Sequence, residues 1–230
     1  IKALSEFIKT KEDKNFRIAI LLTSNEEGES SDGFIDVLLD KLIQRGEKID
    51  YCLVGEPSSS EKVGDTIRIG RRGSLSGKLK VIGKQGHIAY PEKIINPIFL
   101  ISDIITELRE KKWDAGNDHF QPTSFQISNI KSGTGAGNIV PGELEMDFNF
   151  RFCSESTSEG LISEFEKILD SHKVDYKVEW NLSGLPFLTT KTFFVDLVID
   201  SIKKVLGREP VINNGCLLYT SDAADDRYRG

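Results

Sequence analysis

Two short apolar runs near the start of the chain flank a segment with helical periodicity. The runs cover residues 17–23 and 49–54, and short, mainly apolar runs of this length are typical of strands buried on both faces of a parallel sheet. Apolar residues recur at helical spacing across residues 31–45, and Gly46 follows as a helix-ending residue. The order strand, helix, strand predicts a βαβ unit and therefore an α/β domain.

From about residue 73 the pattern changes to an alternation of single apolar and polar residues. Alternation predicts four half-buried strands, at residues 75–83, 123–131, 143–152 and 174–182. A segment that begins with Asn96 as N-cap and Pro97 in the first turn has helical periodicity, and so do residues 157–171. The resulting order, β-α-β-β-α-β, is the signature of the ferredoxin-like fold.

The two patterns divide the chain into four segments. We expect residues 1–72 to be the first part of a catalytic domain and residues 73–183 to be an inserted ferredoxin-like domain. Residues 184–214 carry a helix and the beginning of a strand, and we expect them to return to the catalytic domain. Residues 215–230 have neither period, and we interpret them as translated sequencing-adapter DNA rather than as a disordered tail.

Composition narrows the choice of partners and compartment. The net charge is −6 and no basic stripe is interleaved with aromatic residues, which argues against a nucleic-acid partner. No apolar run is long enough to span a bilayer. Cys52, Cys153 and Cys216 lie far apart and form no CxxC pair, which argues against a disulfide scaffold and fits a protein of the reducing cytoplasm.

Three glutamates follow the two predicted strands. Glu26 and Glu27 come after the first strand and Glu56 after the second, so a βαβ unit would bring all three to the sheet edge where α/β proteins bind ligands. Two adjacent carboxylates raise each other's pKa unless a divalent cation keeps both ionised. The alternative is that the pair only favours the N-terminal end of the next helix. The three together favour a metal site.

Other candidate residues lie in and around the second pattern. His87 follows a predicted strand next to Gly86, and a histidine on a glycine-containing loop is a candidate for function, although a lone histidine is usually structural. Arg71 and Arg72 could clamp a carboxylate or form a solvated charge pair at the domain junction. Arg151 alternates with phenylalanines, which assigns it to the polar face of its strand.

Together these motifs resemble the M20 family of metallopeptidases. The matching stretches are "LLTSNEEG", "DYCLVGEPSSSEKVGDTIRIGRRGSL", "GKQGHIAYP", "NIVPGELEMDFNFRF" and "LSGLPFLT". The resemblance implies a zinc-aminopeptidase-like α/β catalytic domain with an inserted ferredoxin-like α+β domain that forms a homodimer. It also implies a metal-dependent amide hydrolase that removes succinate from N-succinyl-LL-2,6-diaminopimelate, in the pathway to diaminopimelate and lysine.

The resemblance implies a role for each candidate residue. Glu26 would be the general base, and His87 would stabilise the oxyanion in the active site of the partner subunit. Glu27 and Glu56 would bind two divalent metal ions, zinc or alternatively cobalt. Residues that bind the carboxylates of the substrate would be Arg71, Ser74, Tyr90, Asn138 and Arg151.

The chain departs from the family pattern at both ends. The family's His-x-Asp motif and bridging aspartate would lie before Ile1, and its last metal-binding histidine would lie after Asn214. We therefore expect a fragment truncated at both ends that binds metal poorly and is inactive alone. Gly137 stands where some members carry asparagine. Two alternatives remain open, namely another M20 deacylase or carboxypeptidase, such as an acetylornithine deacetylase, and a non-catalytic dimerisation module.

Overall fold

The computed structural model describes residues 2–10, 16–22, 34–56, 58–189 and 192–213. The chain forms two compact units, residues 1–53 and residues 54–230. The first unit contains helices α1 (Lys2–Thr10) and α2 (Phe34–Gln44). None of the helices in these described ranges is long and apolar enough to cross a membrane.

The prediction of two buried strands near the start of the chain is wrong for the residues that the structure describes. Residues 16–22 and 47–56 have no regular secondary structure, and the side chains of Leu22 and Leu53 are 78% and 71% exposed. A strand of a parallel sheet needs hydrogen-bonded neighbours and covering layers, and no described segment pairs with either run. The predicted helix between the two runs is confirmed as α2. Thr23, the last residue of the first predicted strand, lies outside the described residues.

The second unit contains the remaining elements. Its helices are α3 (Pro97–Glu110), α4 (Ser158–Ser171) and α5 (Phe193–Leu206), with a short 3₁₀ turn at Pro91–Lys93. Its strands are β1 (Thr66–Arg68), β2 (Gly70–Arg71), β3 (Gly73–Ile82), β4 (Gly86–His87), β5 (Ser124–Ser132), β6 (Ile139–Val140), β7 (Glu143–Phe152), β8 (Asp175–Gly184), β9 (Phe187–Leu188) and β10 (Val211–Asn213).

Four of these strands form one antiparallel sheet in the order β5, β7, β3, β8. Because α3 lies between β3 and β5 in the chain and α4 lies between β7 and β8, the element order is β-α-β-β-α-β. The predicted ferredoxin-like fold is therefore confirmed. Three short pairs complete the unit, with β1 parallel to β10, β2 antiparallel to β9 and β4 antiparallel to β6.

The core lies between one face of the four-stranded sheet and helices α3 and α4. Alternate residues of β3 and β7 are buried and belong to one apolar cluster with both helices. Phe148 and Phe165 stack with their ring centroids 4.5 Å apart. A Cβ at Gly77 would overlap the Phe148 ring, so the glycine makes room for it. Burying one such aromatic side chain contributes roughly 1.5–3 kcal/mol.

Helices α3 and α4 begin at residues that the sequence predicts. The Asn96 side chain accepts a hydrogen bond from the Ile98 N–H at 3.0 Å, and Pro97 occupies the first turn of α3. The Thr157 hydroxyl accepts a hydrogen bond from the Gly160 N–H at 3.1 Å and caps α4. These caps satisfy backbone donors that have no partner inside the helix, and they define where each helix meets the sheet.

Asp114 ties together the loops at one end of the sheet. One carboxylate oxygen accepts hydrogen bonds from the Ser156 hydroxyl at 2.6 Å and the Cys153 thiol at 3.3 Å. The other accepts from the Thr123 N–H at 2.8 Å and the Gly116 N–H at 2.9 Å. Burial raises the pKa of Asp114, but hydrogen bonds from Ser156, Thr123 and Gly116 outweigh it and lower the pKa to about 2.

We predict that Asp114→Asn lowers the free energy of unfolding by about 1–3 kcal/mol at pH 7, because buried donors lose a charged acceptor. The folded-state pKa of Asp114 lies below its ordinary value, so its contribution is complete above about pH 4 and is lost as the pH falls through about 2. Urea unfolding at pH 7, 4 and 3 measures the free energy of unfolding of the variant and of the wild type. We expect the difference between the two free energies to become smaller as the pH falls to 3.

The control is Asp118→Asn, since Asp118 lies exposed in the same loop. We expect this variant to unfold like the wild type at all three pH values. A difference between Asp114→Asn and wild type that does not change with pH would contradict the role of the ionised carboxylate.

Candidate active site

Residues from four strands form a row across one end of the sheet. Ser74 of β3 lies directly opposite Arg151 of β7 on one side and Gly184 of β8 on the other. Arg151 in turn lies opposite Ser124 of β5. Directly opposed residues share a face, with Cβ atoms about 4.5–5.5 Å apart. Register therefore brings together Ser74 and Arg151, two of the predicted substrate-binding residues. We call Gly184, Ser74, Arg151 and Ser124 the anion row.

Asn149 supports the anion row, and the sequence analysis missed it. Its Nδ2 donates hydrogen bonds to the Ser74 hydroxyl at 3.1 Å and to the Ser76 hydroxyl at 2.9 Å. Because Ser74 accepts the bond from Asn149, its own hydroxyl proton is left free to donate to a ligand. The signal was present in "FNFRF", since period-two alternation assigns Asn149 to the same face as Arg151.

Arg71 extends from the short strand β2 to the edge of the anion row. Its guanidinium Cζ lies 6.0 Å from the centre of the Phe187 ring on β9. Its Nη2 fills the space that a Cβ at Gly184 would enter. Within the described ranges, the guanidinium groups of Arg71 and Arg151 form neither an ion pair nor a hydrogen bond. Two cationic groups are thus available at one end of the sheet.

Arg72 has a different environment from Arg71. Its Nη1 donates to the Pro122 carbonyl oxygen at 3.1 Å and to the Ser124 hydroxyl at 3.4 Å. These contacts attach the start of β3 to the start of β5. Of the two adjacent arginines, only Arg71 keeps its guanidinium free of hydrogen-bond partners among the described residues, so Arg72 has a structural role.

A second group of predicted residues meets at the pair of short strands β4 and β6. His87 lies opposite Ile139, and its Nε2 is 3.4 Å from the side-chain amide nitrogen of Asn138. The ring of Tyr90 lies 6.0 Å from the His87 ring, centroid to centroid. His87, Tyr90 and Asn138 are all exposed, so this lid group, as we call these three residues, faces outward from the unit.

The hydrogen bonds of His87 define which ring nitrogen carries the proton. The backbone N–H of Ala89 donates to Nδ1 at 3.1 Å, so Nδ1 must be an acceptor in the neutral ring and the proton lies on Nε2. An Nε2–H is a donor, so Asn138 pairs with it when the amide presents its oxygen rather than its nitrogen. This arrangement leaves the Nε2–H of His87 beside Asn138, on the exposed side of the β4–β6 pair.

Glu56 is the predicted metal ligand that the structure describes. It is half-buried, and its carboxylate has no hydrogen-bond or ion-pair partner in the described ranges. A free carboxylate is a suitable donor for a divalent cation. Glu26 and Glu27 lie outside the described residues. In the part of the chain that is described, no group of three or more His, Cys, Asp or Glu side chains could hold a metal ion.

The loop after Glu56 is held by Asp65, a second residue that the sequence analysis missed. The Asp65 carboxylate accepts backbone hydrogen bonds from Ser60, Glu61 and Lys62 at 2.9, 2.8 and 2.8 Å. These backbone bonds, led by Glu61, hold the pKa of Asp65 well below its usual range. An aspartate that precedes a strand and follows a serine-rich loop is a common turn signal.

Comparison with known proteins agrees with this architecture. Residues 69–177 match the peptidase dimerisation domain of the M20 type, and these residues include β3, β5 and β7 completely and the start of β8. This part of the chain is therefore similar to the dimerisation domain of the M20 peptidases. Divalent metal ions are the cofactors that this metallopeptidase family implies.

Sequence relatives narrow the family further. The chain is 48% identical over 228 residues to the succinyl-diaminopimelate desuccinylase of Thiobacillus denitrificans, covering 99% of this chain and 57% of that protein. It is 51% identical over 207 residues to the enzyme of the same name from Pseudomonas syringae pv. tomato, covering 90% and 54%. The chain thus spans a little over half the length of the curated relatives it matches.

Solved structures are similar in fold. An M20 family metallo-carboxypeptidase from Sulfolobus solfataricus has a TM-score of 0.68 at 16% identity, over 80% of this chain and 61% of that one. A tripeptidase from Staphylococcus aureus has a TM-score of 0.54 at 21% identity, over 69% and 42%. At these identities the similarity concerns the fold alone.

We predict that neutral His87 is the Nε2–H tautomer, because Nδ1 accepts the Ala89 N–H. Long-range ¹H–¹⁵N correlation spectra of the 230-residue chain, recorded with the ring neutral, distinguish the two nitrogens. The exposed ring of His119 serves as the reference, since nothing in the described ranges selects its tautomer. A protonated Nδ1 at His87 would contradict the hydrogen-bond pattern.

Proposed function

We propose that this protein is a succinyl-diaminopimelate desuccinylase, an amide hydrolase that releases succinate from N-succinyl-LL-2,6-diaminopimelate. The observation that carries the proposal is the anion row with Arg71 beside it. Two guanidinium groups that have no ion-pair partner among the described residues meet a hydroxyl donor there, and the succinyl group ends in a carboxylate. The name shared by relatives about half identical in sequence supports the same substrate.

The chemistry of the anion row suits a carboxylate. Arginine offers planar N–H donors that match the two oxygens of a carboxylate, and it stays charged at every physiological pH. Ser74 adds a hydroxyl donor, oriented by its hydrogen bond from Asn149. A neutral acyl group, such as acetyl, would leave these donors without a partner, so the row would select an acyl group with a terminal charge.

Metal binding in this proposal rests on Glu27 and Glu56, with further ligands from the rest of the enzyme. Two divalent ions, zinc or alternatively cobalt, would supply an acidified water for attack on the amide when bound. Glu26 takes a proton from the attacking water and returns it to the departing amine, as a general base and then acid. The free carboxylate of Glu56 supports its part in this set.

His87 acts in the partner's active site in this proposal. Its neutral ring directs an Nε2–H outward from an exposed strand pair, which suits donation to the oxyanion that forms when the amide is attacked. Tyr90 and Asn138 flank it and would contact the substrate. A homodimer formed through residues 73–183 would deliver this lid group, and the match of residues 69–177 to a dimerisation domain supports that assembly.

The cytoplasm is the proposed compartment. Cys52 and Cys153 are free thiols, as is usual for proteins of a reducing environment.

Substrate preference tests the proposed function. The protein extended to the length of its relatives and loaded with zinc is assayed for release of free amine from N-succinyl-LL-2,6-diaminopimelate and from N-acetylornithine. We expect kcat/KM to be at least about 100-fold higher for the succinyl substrate, because charge-assisted hydrogen bonds to its carboxylate are absent with acetyl. Preference for N-acetylornithine would identify another M20 deacylase, and turnover of neither would favour a dimerisation module.

The role of Glu26 is tested separately. In the same protein we predict that Glu26→Gln reduces kcat by about 10²–10⁴-fold while the zinc content after dialysis stays that of the wild type, since the residue moves protons and does not bind metal. Glu29→Gln, three residues along the same segment, is the matched control and should retain activity. Loss of zinc in Glu26→Gln would reassign Glu26 as a ligand.

A further inference from the structure

The Arg71 guanidinium lies near Gly184 and Phe187, two residues of one continuous segment of the chain. That segment is the end of β8 at Gly184, a two-residue connection, and the start of β9 at Phe187. Phe187 lies directly opposite Arg71 in the β2–β9 pair, and its ring lies 6.0 Å from the guanidinium carbon. Gly184 lies opposite Ser74. The guanidinium of Arg71, an exposed residue, thus lies beside the Phe187 ring and against Gly184.

The glycine at position 184 is required by space and not by backbone conformation. Gly184 is absent from the glycines with a positive φ angle, so its backbone is one that other residues adopt. A Cβ added there would overlap Nη2 of Arg71 and come within 3.4 Å of Cζ. Apart from the two chain neighbours of Gly184, the three heavy atoms nearest to that Cβ all belong to the far end of the Arg71 side chain.

Neighbouring glycines differ in this respect. A Cβ at Gly70 would meet the backbone carbonyl oxygen of Phe187 at 2.6 Å, and one at Gly73 would overlap the core ring of Phe152. Substitution at either position would disturb strand pairing or the core. At Gly184 the only group that must move is a flexible guanidinium, so a side chain there changes the site and leaves the fold intact.

We propose that Gly184 is a positioning residue that keeps open the space in which the Arg71 guanidinium lies beside Ser74 and Arg151. The inference rests on the proposed function, because it assigns Arg71 to the terminal carboxylate of the succinyl group. With a methyl group at position 184, the guanidinium is displaced from the anion row. Binding of a charged acyl group then weakens, whereas binding of a neutral acyl group of the same shape does not.

The first test is kinetic, in the zinc-loaded protein extended to the length of its relatives. The substrates are N-succinyl-LL-2,6-diaminopimelate and its analogue with a terminal amide in place of the succinyl carboxylate. For Gly184→Ala we expect KM for the succinyl substrate to rise about tenfold, as for one lost charge-assisted interaction, with kcat and the KM of the amide analogue unchanged. Leu185→Ala, at an adjacent residue that is 60% exposed, is the matched control and should behave like wild type.

The second test asks whether the effect acts through Arg71. In an Arg71→Ala background, Gly184→Ala should raise KM no further, because there is no guanidinium left to displace. An effect of Gly184→Ala that persists in this background, or one of equal size on both substrates, would overturn the proposal. An unchanged KM for the succinyl substrate in the single variant would overturn it as well.

The third test separates this inference from the proposed function. In the 230-residue chain, the NMR signal of the Arg71 Nε–H should shift in Gly184→Ala and remain unchanged in Leu185→Ala, since its environment includes the Phe187 ring. A wild-type enzyme that does not distinguish the succinyl substrate from its amide analogue would refute the proposed function, whatever this signal does. An unshifted signal in Gly184→Ala would refute the positioning role on its own.

Discussion

The register of β3 between β7 and β8 is the constraint on which the rest of the structure depends. One face of these strands is buried in an aromatic core, where Phe148 stacks on Phe165 beneath the space left by Gly77. A slip of one residue would turn every buried side chain to the open face. The core therefore admits a single register, and that register places Ser74 opposite Arg151. A one-residue register shift in β8 after Leu182 then places Gly184 opposite Ser74.

The core and the candidate site consequently lie on opposite faces of the same strands. In β7, Phe150 and Phe152 are fully buried while Asn149 and Arg151 between and beside them face the other way. The positions of the polar groups are thus determined by the packing of the aromatic ones. Asp114 adds a polar constraint at the same end of the sheet, because its carboxylate joins the loops before β5 and after β7.

Much of this could be predicted from the sequence because the relevant signals are local. Alternation with period two identified the strands of the sheet, the cap Asn96 identified the start of α3, and helical periodicity identified α4. The two runs near the start of the chain show the limit of such reasoning. Both runs are mainly apolar, but a buried strand also needs neighbouring strands to which it can hydrogen-bond. Composition does not indicate whether such strands are present.

The sequence by itself determined the element order of the ferredoxin-like sheet and its helices, the polar face of β7 and the candidate residues of the site, because periodicity and motifs are local properties of the chain. Tertiary structure alone decided which candidates meet. It gave Arg71 and Arg72 different contacts and brought the Asn138 side chain next to His87. It also placed Asn149, Gly184 and Phe187 at the site. These contacts join residues far apart in the chain, so they follow from strand pairing, which no local pattern specifies.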